Sequence, residues 1–244
     1  MSGYVLSLKE RTSLQPSKQY KRAKCSFFHC IIFMMLKAVF FDLDGTLMDS
    51  EMHYISGTLE WLNDLNIRVS EKDVFNIVGL TMDDTYKYLS KLSGLSYDEC
   101  VFYNERYFKG HPLNFRKLIY KEVPDVFRKL RDRGLLIAIC SMSPLNYIKK
   151  FVSDNCLDKY VDYCVSGEDL KHNKPAPDIY LKALDELNLK KDEAVVVEDA
   201  TSGIESALAA GLRVVARDAS RYHADQHKAD MILSDLNELI EVIG

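Results

Sequence analysis

Apolar and polar positions divide the chain into two regimes. Short apolar runs suited to buried parallel strands occur at 37–42 (KAVFFD), 135–140 (LLIAIC), 161–165 (VDYCV), 194–198 (AVVVE) and 212–216 (LRVVA). Helical periodicity follows several of them: 144–155 after the second run, 178–187 after the third and 201–210 after the fourth, with Gly211 placed as a C-cap. A last helix is expected at 235–243. Strands alternating with helices predict an α/β protein built on a parallel sheet.

Between 51 and 122 the pattern changes. Helical stretches at 51–65, 71–77, 81–92 and 97–108 follow one another without a convincing strand. Gly79, Gly94, Gly110 and Pro112 punctuate them, and Pro124 marks the return to the core. The block reads as an all-helical insert between the first and second core strands. The expected division is therefore a core of 35–50 and 123–244, and a helical unit of 51–122.

The beginning of the chain belongs to neither regime. Residues 1–24 are polar and aperiodic, and 25–36 (CSFFHCIIFMML) lead straight into the first strand. Lys9, Arg11, Lys18, Lys21, Arg22 and Lys24 against Glu10 give residues 1–36 a net charge of +5. The remainder carries −9, for −4 overall. An anchor is disfavoured because the apolar run is about twelve residues, short of the roughly 20 a spanning helix needs. A cleaved signal is disfavoured because no small-residue cleavage site precedes Asp42. Met34 and Met35 stand just before the first strand. One of them is expected to be the biological start, leaving 1–34 as a disordered or spurious extension.

Composition narrows the class without naming the chemistry. With 47% hydrophobic and 28% charged residues, the chain is an ordinary globular protein large enough to fold without a structural metal or disulfide. Its negative net charge offers no argument for nucleic acid. Cys25, Cys30, Cys100, Cys140, Cys156 and Cys164 form no CxxC pair and no zinc spacing. Reduced, mostly buried thiols in a cytoplasmic protein are expected.

Open parallel sheets bind ligands at the carboxyl ends of their strands. Asp42 and Asp44 follow the first run, Ser141 the second, and Glu198 and Asp199 close the fourth, with Lys174 after the third. Asp42 and Asp44 are two residues apart on an extended strand, so their side chains share a direction, and Gly45 permits a sharp exit. These carboxylates and Asp199 would repel one another without a hard cation, and Mg2+ is the natural choice. A carboxylate can attack phosphorus, and a second can move the proton of the leaving oxygen. Ser141 offers a hydroxyl near a helix start, and Lys174 a fixed positive charge for a phosphoryl group. Singly, each has a plain alternative: a turn for DxDGT, a cap for Ser141, a loop lysine for Lys174, and dipole complement for Glu198-Asp199. Their ordered conjunction favours phosphoryl transfer.

Residues 40–51 (FFDLDGTLMDSE), 139–143 (ICSMS), 174–180 (KPAPDIY) and 196–204 (VVEDATSGI) resemble the four motifs of the haloacid dehalogenase (HAD) superfamily, over about 35–244. The resemblance implies a Rossmann-like core with an inserted helical cap. It implies Asp42 as nucleophile and Asp44 as general acid/base. Mg2+ would be held by the Asp42 carboxylate, the Asp44 main-chain carbonyl and Asp199, with Glu198 in support. Ser141 and Lys174 would bind the phosphoryl group. An aspartate at 44 favours phosphate esters over carbon–halogen substrates.

The nearer branch resembles β-phosphoglucomutase and sugar phosphatases. The mutase carries a cap arginine after a Gly-x-Ser/Thr step to grip a distal phosphate, whereas 79–83 here reads GLTMD and places Met82 there. The expected activity is hydrolysis of a small, sugar-like phosphate monoester, with a phosphomutase as the alternative. His53 is a candidate for substrate contact, equally at home on a helix surface, while Lys109 and His111, flanking Gly110, are further candidates for which a solvated loop is favoured. A dinucleotide-binding module would need GxGxxG or GxxxxGK[ST] after the first strand, and neither occurs. A catalytically dead interaction protein is disfavoured by retention of all four motifs. The expected partner is a small phosphorylated metabolite, with no nucleic acid and no membrane, for a monomer or weak dimer.

Overall fold

The computed structural model describes residues 36–78, 80 and 82–243. The expected extension at 1–34, Met34 and Met35 as start sites, Cys25 and Cys30, and the Gly79 and Thr81 of the mutase comparison lie outside the described residues.

Six strands, β1 (Ala38–Phe41), β2 (Leu136–Ser141), β3 (Tyr163–Ser166), β4 (Ala194–Glu198), β5 (Arg213–Arg217) and β6 (Met231–Leu233), form one sheet in the order β3-β2-β1-β4-β5-β6. Every pairing is parallel. Between β1 and β2 run α1 (Ser50–Asp64), α2 (Glu71–Val74), α3 (Met82–Ser93), α4 (Tyr97–Gly110), α5 (Phe115–Leu118) and α6 (Val123–Asp132). Later come α7 (Leu145–Asp154), α8 (Asp178–Glu186), α9 (Thr201–Ala210) and α10 (Asn237–Val242). The α/β Rossmann-like architecture with a helical insert is the one expected.

Both faces of the sheet are covered, which is why its strands read as continuous apolar runs. Val39 and Phe41 of β1 face Phe127 of α6, Phe151 of α7 and Leu239 of α10. Ala38 and Phe40 face Tyr180 and Ala183 of α8 and Ile204 and Ala207 of α9. Each buried Phe contributes about 1.5–3 kcal/mol of transfer free energy. A third core, centred on Ile55, Trp61, Leu62 and Leu89, lies within the insert and also takes in Ala219 and Tyr222 from the loop after β5.

Some element limits differ from expectation. The third strand starts at Tyr163 because Tyr160 and Val161 donate their N–H groups back to Leu157 O, prolonging a turn. Pro124 stands where the chain begins to pack on the sheet through Val123, Val126 and Phe127. It sits in the first turn of α6, where its missing N–H costs nothing. The three-residue β6, paired only with β5, carries too short an apolar run to be recognised.

The chain proceeds from β1 out to β2 and β3, then crosses to β4 on the other side of β1. This is a topological switch point, and the crevice beyond the end of β1 is where such sheets take a ligand. Phe41 is level with Ile139 on one side and Val197 on the other. The residues that follow, Asp42, Cys140 and Glu198, therefore emerge together.

Candidate active site

Asp42 leaves β1 with its N–H still donated to Val197 O at 2.9 Å. The chain then folds back, with Gly45 N–H on Met48 O at 2.8 Å and Leu47 N–H on Leu43 O at 2.9 Å. Gly45 has φ +85°, and a Cβ there would meet Asp199 Oδ2 at 2.1 Å, so a side chain is excluded twice over. This close approach lets the Thr46 hydroxyl donate to Asp199 Oδ1 at 2.8 Å, tying the first motif to the fourth.

Lys174 enters between them. Its Nζ lies 2.6 Å from Asp42 Oδ1 and 2.7 Å from Glu198 Oε1, and it donates to Cys140 O at 3.0 Å. Only 5% of its side chain is exposed, so the sequence-level alternative of a solvated loop lysine fails. The ring of Tyr180 lies beneath the ammonium at 5.2 Å, and its hydroxyl donates to Glu198 Oε1 at 3.1 Å. Glu198 Oε2 accepts the N–H groups of Asp199 and Ala200 at 2.9 and 3.0 Å, at the start of α9. Gly203 makes room for this carboxylate, since a Cβ would fall 1.7 Å from Oε1.

Asp42, Glu198 and Asp199 each present a carboxylate oxygen within 4.8 Å of the others, all buried. Fully ionised, three carboxylates against one ammonium carry an excess of two negative charges. Burial raises the Asp42 carboxyl to about 8, with Glu198 and Asp44 adding to it and Lys174 opposing. Burial, Glu198 and Asp42 likewise raise Asp199 well above the ordinary carboxylate range. Burial works against the charge of Lys174, but Asp42 and Glu198 outweigh it and hold the ammonium firmly protonated. An all-oxygen donor set with an excess of two negative charges fits a hard divalent cation.

Asp44 points elsewhere. Its Oδ2 accepts from the Ser143 hydroxyl at 2.8 Å and its Oδ1 from the Tyr147 hydroxyl at 3.3 Å. Ser141 Oγ accepts the Ser143 N–H at 3.0 Å, so it is a turn hydroxyl that keeps its own O–H to donate. The Ser166 hydroxyl holds Ser143 O at 2.8 Å, fixing the loop from below.

Residues 39–217 match the profile of the haloacid dehalogenase-like hydrolases. The chain belongs to this family. It is 26% identical over 217 residues to pyrophosphatase PpaX of Bacillus mycoides, covering 86% of this chain and 98% of that one. It is 29% identical over 180 residues to a phosphorylated carbohydrates phosphatase of Thermotoga maritima, covering 72% of this chain and 82% of that one. A HAD family hydrolase from Deinococcus radiodurans R1, solved with bound phosphate and sodium, superimposes with a TM-score of 0.71. Its identity is 21%, over 84% of this chain and 93% of that one. The likeness extends over the core and the helical insert alike.

In this HAD-like hydrolase, Asp42, Lys174, Glu198 and Asp199 meet directly. Asp44 and Ser141 are joined to each other through Ser143. Sequence reasoning assigned no role to Thr46, Ser143 or Tyr180, although all three lie inside the motifs quoted for the family. Tyr147 carried no signal, because its position on amphipathic α7 reads as packing. Gln226 was also missed. It is buried and donates to Asp199 O at 2.7 Å and Arg217 O at 2.6 Å, bracing the loop that carries Asp199.

The candidates in the insert separate from the centre. His53 packs against Tyr54 and Phe108 at ring distances of 5.6 and 5.5 Å, and His111 stacks on Tyr107 at 4.2 Å. Lys109 is exposed. Both linkers to the insert are gripped from the β5 exit. Arg221 pairs with Asp49 at 2.5 Å, Tyr222 donates to Asp49 Oδ1 at 2.9 Å, and Arg217 lies 3.4 Å from the Tyr120 ring. Among the described residues, no helix is long and apolar enough to cross a membrane.

Proposed function

We propose that this hydrolase cleaves a small phosphate monoester in two displacements, with Asp42 as nucleophile and Asp44 as general acid and base. The observation that carries the reading is the buried arrangement of Lys174 between Asp42 and Glu198, beside Asp199.

An Asp42 oxygen attacks phosphorus and the ester P–O bond breaks. The departing alkoxide takes a proton from Asp44, whose carboxyl is oriented by Ser143 and Tyr147. A water molecule then attacks the aspartyl phosphate, giving its proton to Asp44, and inorganic phosphate leaves with Asp42 regenerated. Lys174 and Ser141 hold the phosphoryl oxygens, while Lys174 also relieves repulsion between nucleophile and substrate. Asp42, Asp199 and the Asp44 main-chain carbonyl would hold Mg2+, with Glu198 supporting. The ion supplies charge neutralisation for the phosphoryl oxygens.

Hydrolysis is favoured over the mutase alternative by Met82, which is 57% exposed at the mouth of the cap cavity. A thioether gives a distal phosphate no anchor, so a bisphosphate intermediate would not be retained. Purified protein assayed on a panel of phosphate esters, with and without Mg2+, tests the reading. Magnesium-dependent phosphate release that Asp42→Asn abolishes, with the fold intact by circular dichroism, is expected. Conversion of a sugar 1-phosphate to its 6-phosphate would instead identify a mutase.

A further inference from the structure

A cavity of about 500 Å³ lies among α1, α3 and α4, with Ile77 and Leu80 also in its wall. Its inner end adjoins the catalytic centre, because Glu51, in the first turn of α1, closely follows Met48, the residue bridged to Asp44. Glu51 and Tyr54, both in its wall, feel the charge of Asp44, whose Oδ1 accepts from the Tyr147 hydroxyl at 3.3 Å. A leaving group whose oxygen is protonated by Asp44 therefore extends into this space.

The charge of its lining is one-sided. Glu51 lies at the inner end and Glu105 at the rim, and no lysine or arginine is among the described residues that line it. Burial, then Asp44 and Asp49, push Glu51 up to about 7, the response of a carboxyl to desolvation in a negative field. Asp199 also feels the charge of Glu51. Leu80, Met82 and Phe108 supply apolar surface. Thr58, Thr85 and Asn104, all buried, supply neutral hydrogen-bonding groups.

We infer that the cavity selects phosphate monoesters whose leaving group is neutral and hydroxylated, with an apolar face, and rejects leaving groups that carry a second phosphate or a carboxylate. This rests on the phosphatase reading above and narrows its substrate class. A second anion would enter a site with two carboxylates and no countercharge, where repulsion at partly desolvated distances is strong. A sugar or polyol instead presents C–H surface to Phe108 and hydroxyls to the threonines and Asn104. The inference separates this chain from what the name of its pyrophosphatase relative describes.

The experiment compares kcat/KM for glucose 1-phosphate and glycerol 3-phosphate with that for pyrophosphate, phosphoglycolate and glucose 1,6-bisphosphate. Acetyl phosphate, too small to fill the cavity, reads the catalytic centre alone. The neutral group is expected to lead by at least about tenfold. Glu105→Lys and Met82→Arg, each at the cavity mouth and outside the catalytic machinery, should narrow that gap by at least about fivefold while leaving acetyl phosphate turnover unchanged. Preference for pyrophosphate, phosphoglycolate or the bisphosphate in the unmodified enzyme overturns the inference, as does an unaltered gap in both variants. Absence of turnover on every substrate, acetyl phosphate included, would remove the phosphatase reading and this inference with it.

Discussion

Ser143 Oγ donates to Asp44 Oδ2 at 2.8 Å, across 99 positions of sequence. The bond joins the loop after β2 to the loop after β1 and sets the direction of the carboxyl proposed to protonate the leaving oxygen. Tyr147 holds the other carboxyl oxygen. Removing one hydrogen bond to a group of this kind costs about 1.5–3 kcal/mol. Ser143→Ala and Tyr147→Phe should therefore slow alkyl phosphates about 10- to 100-fold. 4-Nitrophenyl phosphate, whose leaving group needs little protonation, should be affected far less. Steady-state kcat on the two ester types checks this, and an equal loss on both would contradict a positioning role.

Lys174 is surrounded by acceptors and shut off from water. Its loss leaves Glu198 buried without its countercharge, and breaking such a pair destabilises by about 3–5 kcal/mol. Lys174→Met should show this in urea unfolding of the metal-free protein, together with loss of turnover. Lys174→Arg should not restore activity, because a planar guanidinium does not replace a compact ammonium bonded to Asp42, Glu198 and Cys140 O. Turnover in Lys174→Arg comparable to the unmodified enzyme would count against the assigned role.

The raised Asp42 carboxyl predicts how the metal-free protein responds to pH. In the unfolded chain this group releases its proton near 3.8, whereas the folded, metal-free site keeps it to about 8. The folded state thus binds more protons between these values. The resulting stabilisation is complete below the lower value and lost as pH rises through the higher one. Asp199 is shifted in the same direction. The melting temperature of chelator-treated protein should fall from about pH 5 to about pH 9. Added Mg2+ should raise it more at the alkaline end, since a cation binds the ionised carboxylates. Calorimetry across that range decides. A magnesium increment independent of pH would show that these carboxylates are not the ones titrating.

Much of the fold was legible because the signals that specify it are local. Apolar runs such as AVVVE at 194–198 and the left-handed Gly211 after α9 mark their elements without knowledge of any partner. Pro124 marks the return to the core locally, but that it opens a helix whose Val126, Phe127 and Leu130 cover the sheet is decided by packing. The short β6 is defined by its neighbour β5 and has little character of its own.

By itself, the order of residues determined which side chains stand at the strand exits. A parallel sheet delivers those positions to one edge, so Asp42, Asp44, Ser141, Glu198 and Asp199 could be named in advance. Only the tertiary structure decided what each of them touches. Lys174 between two carboxylates, Thr46 on Asp199, Ser143 and Tyr147 on Asp44, and a cavity in the helical insert lined by Glu51 and Glu105 all join segments tens of residues apart. Such contacts depend on how separate elements pack, and a side chain's direction in that packing is not a property of its own stretch of chain.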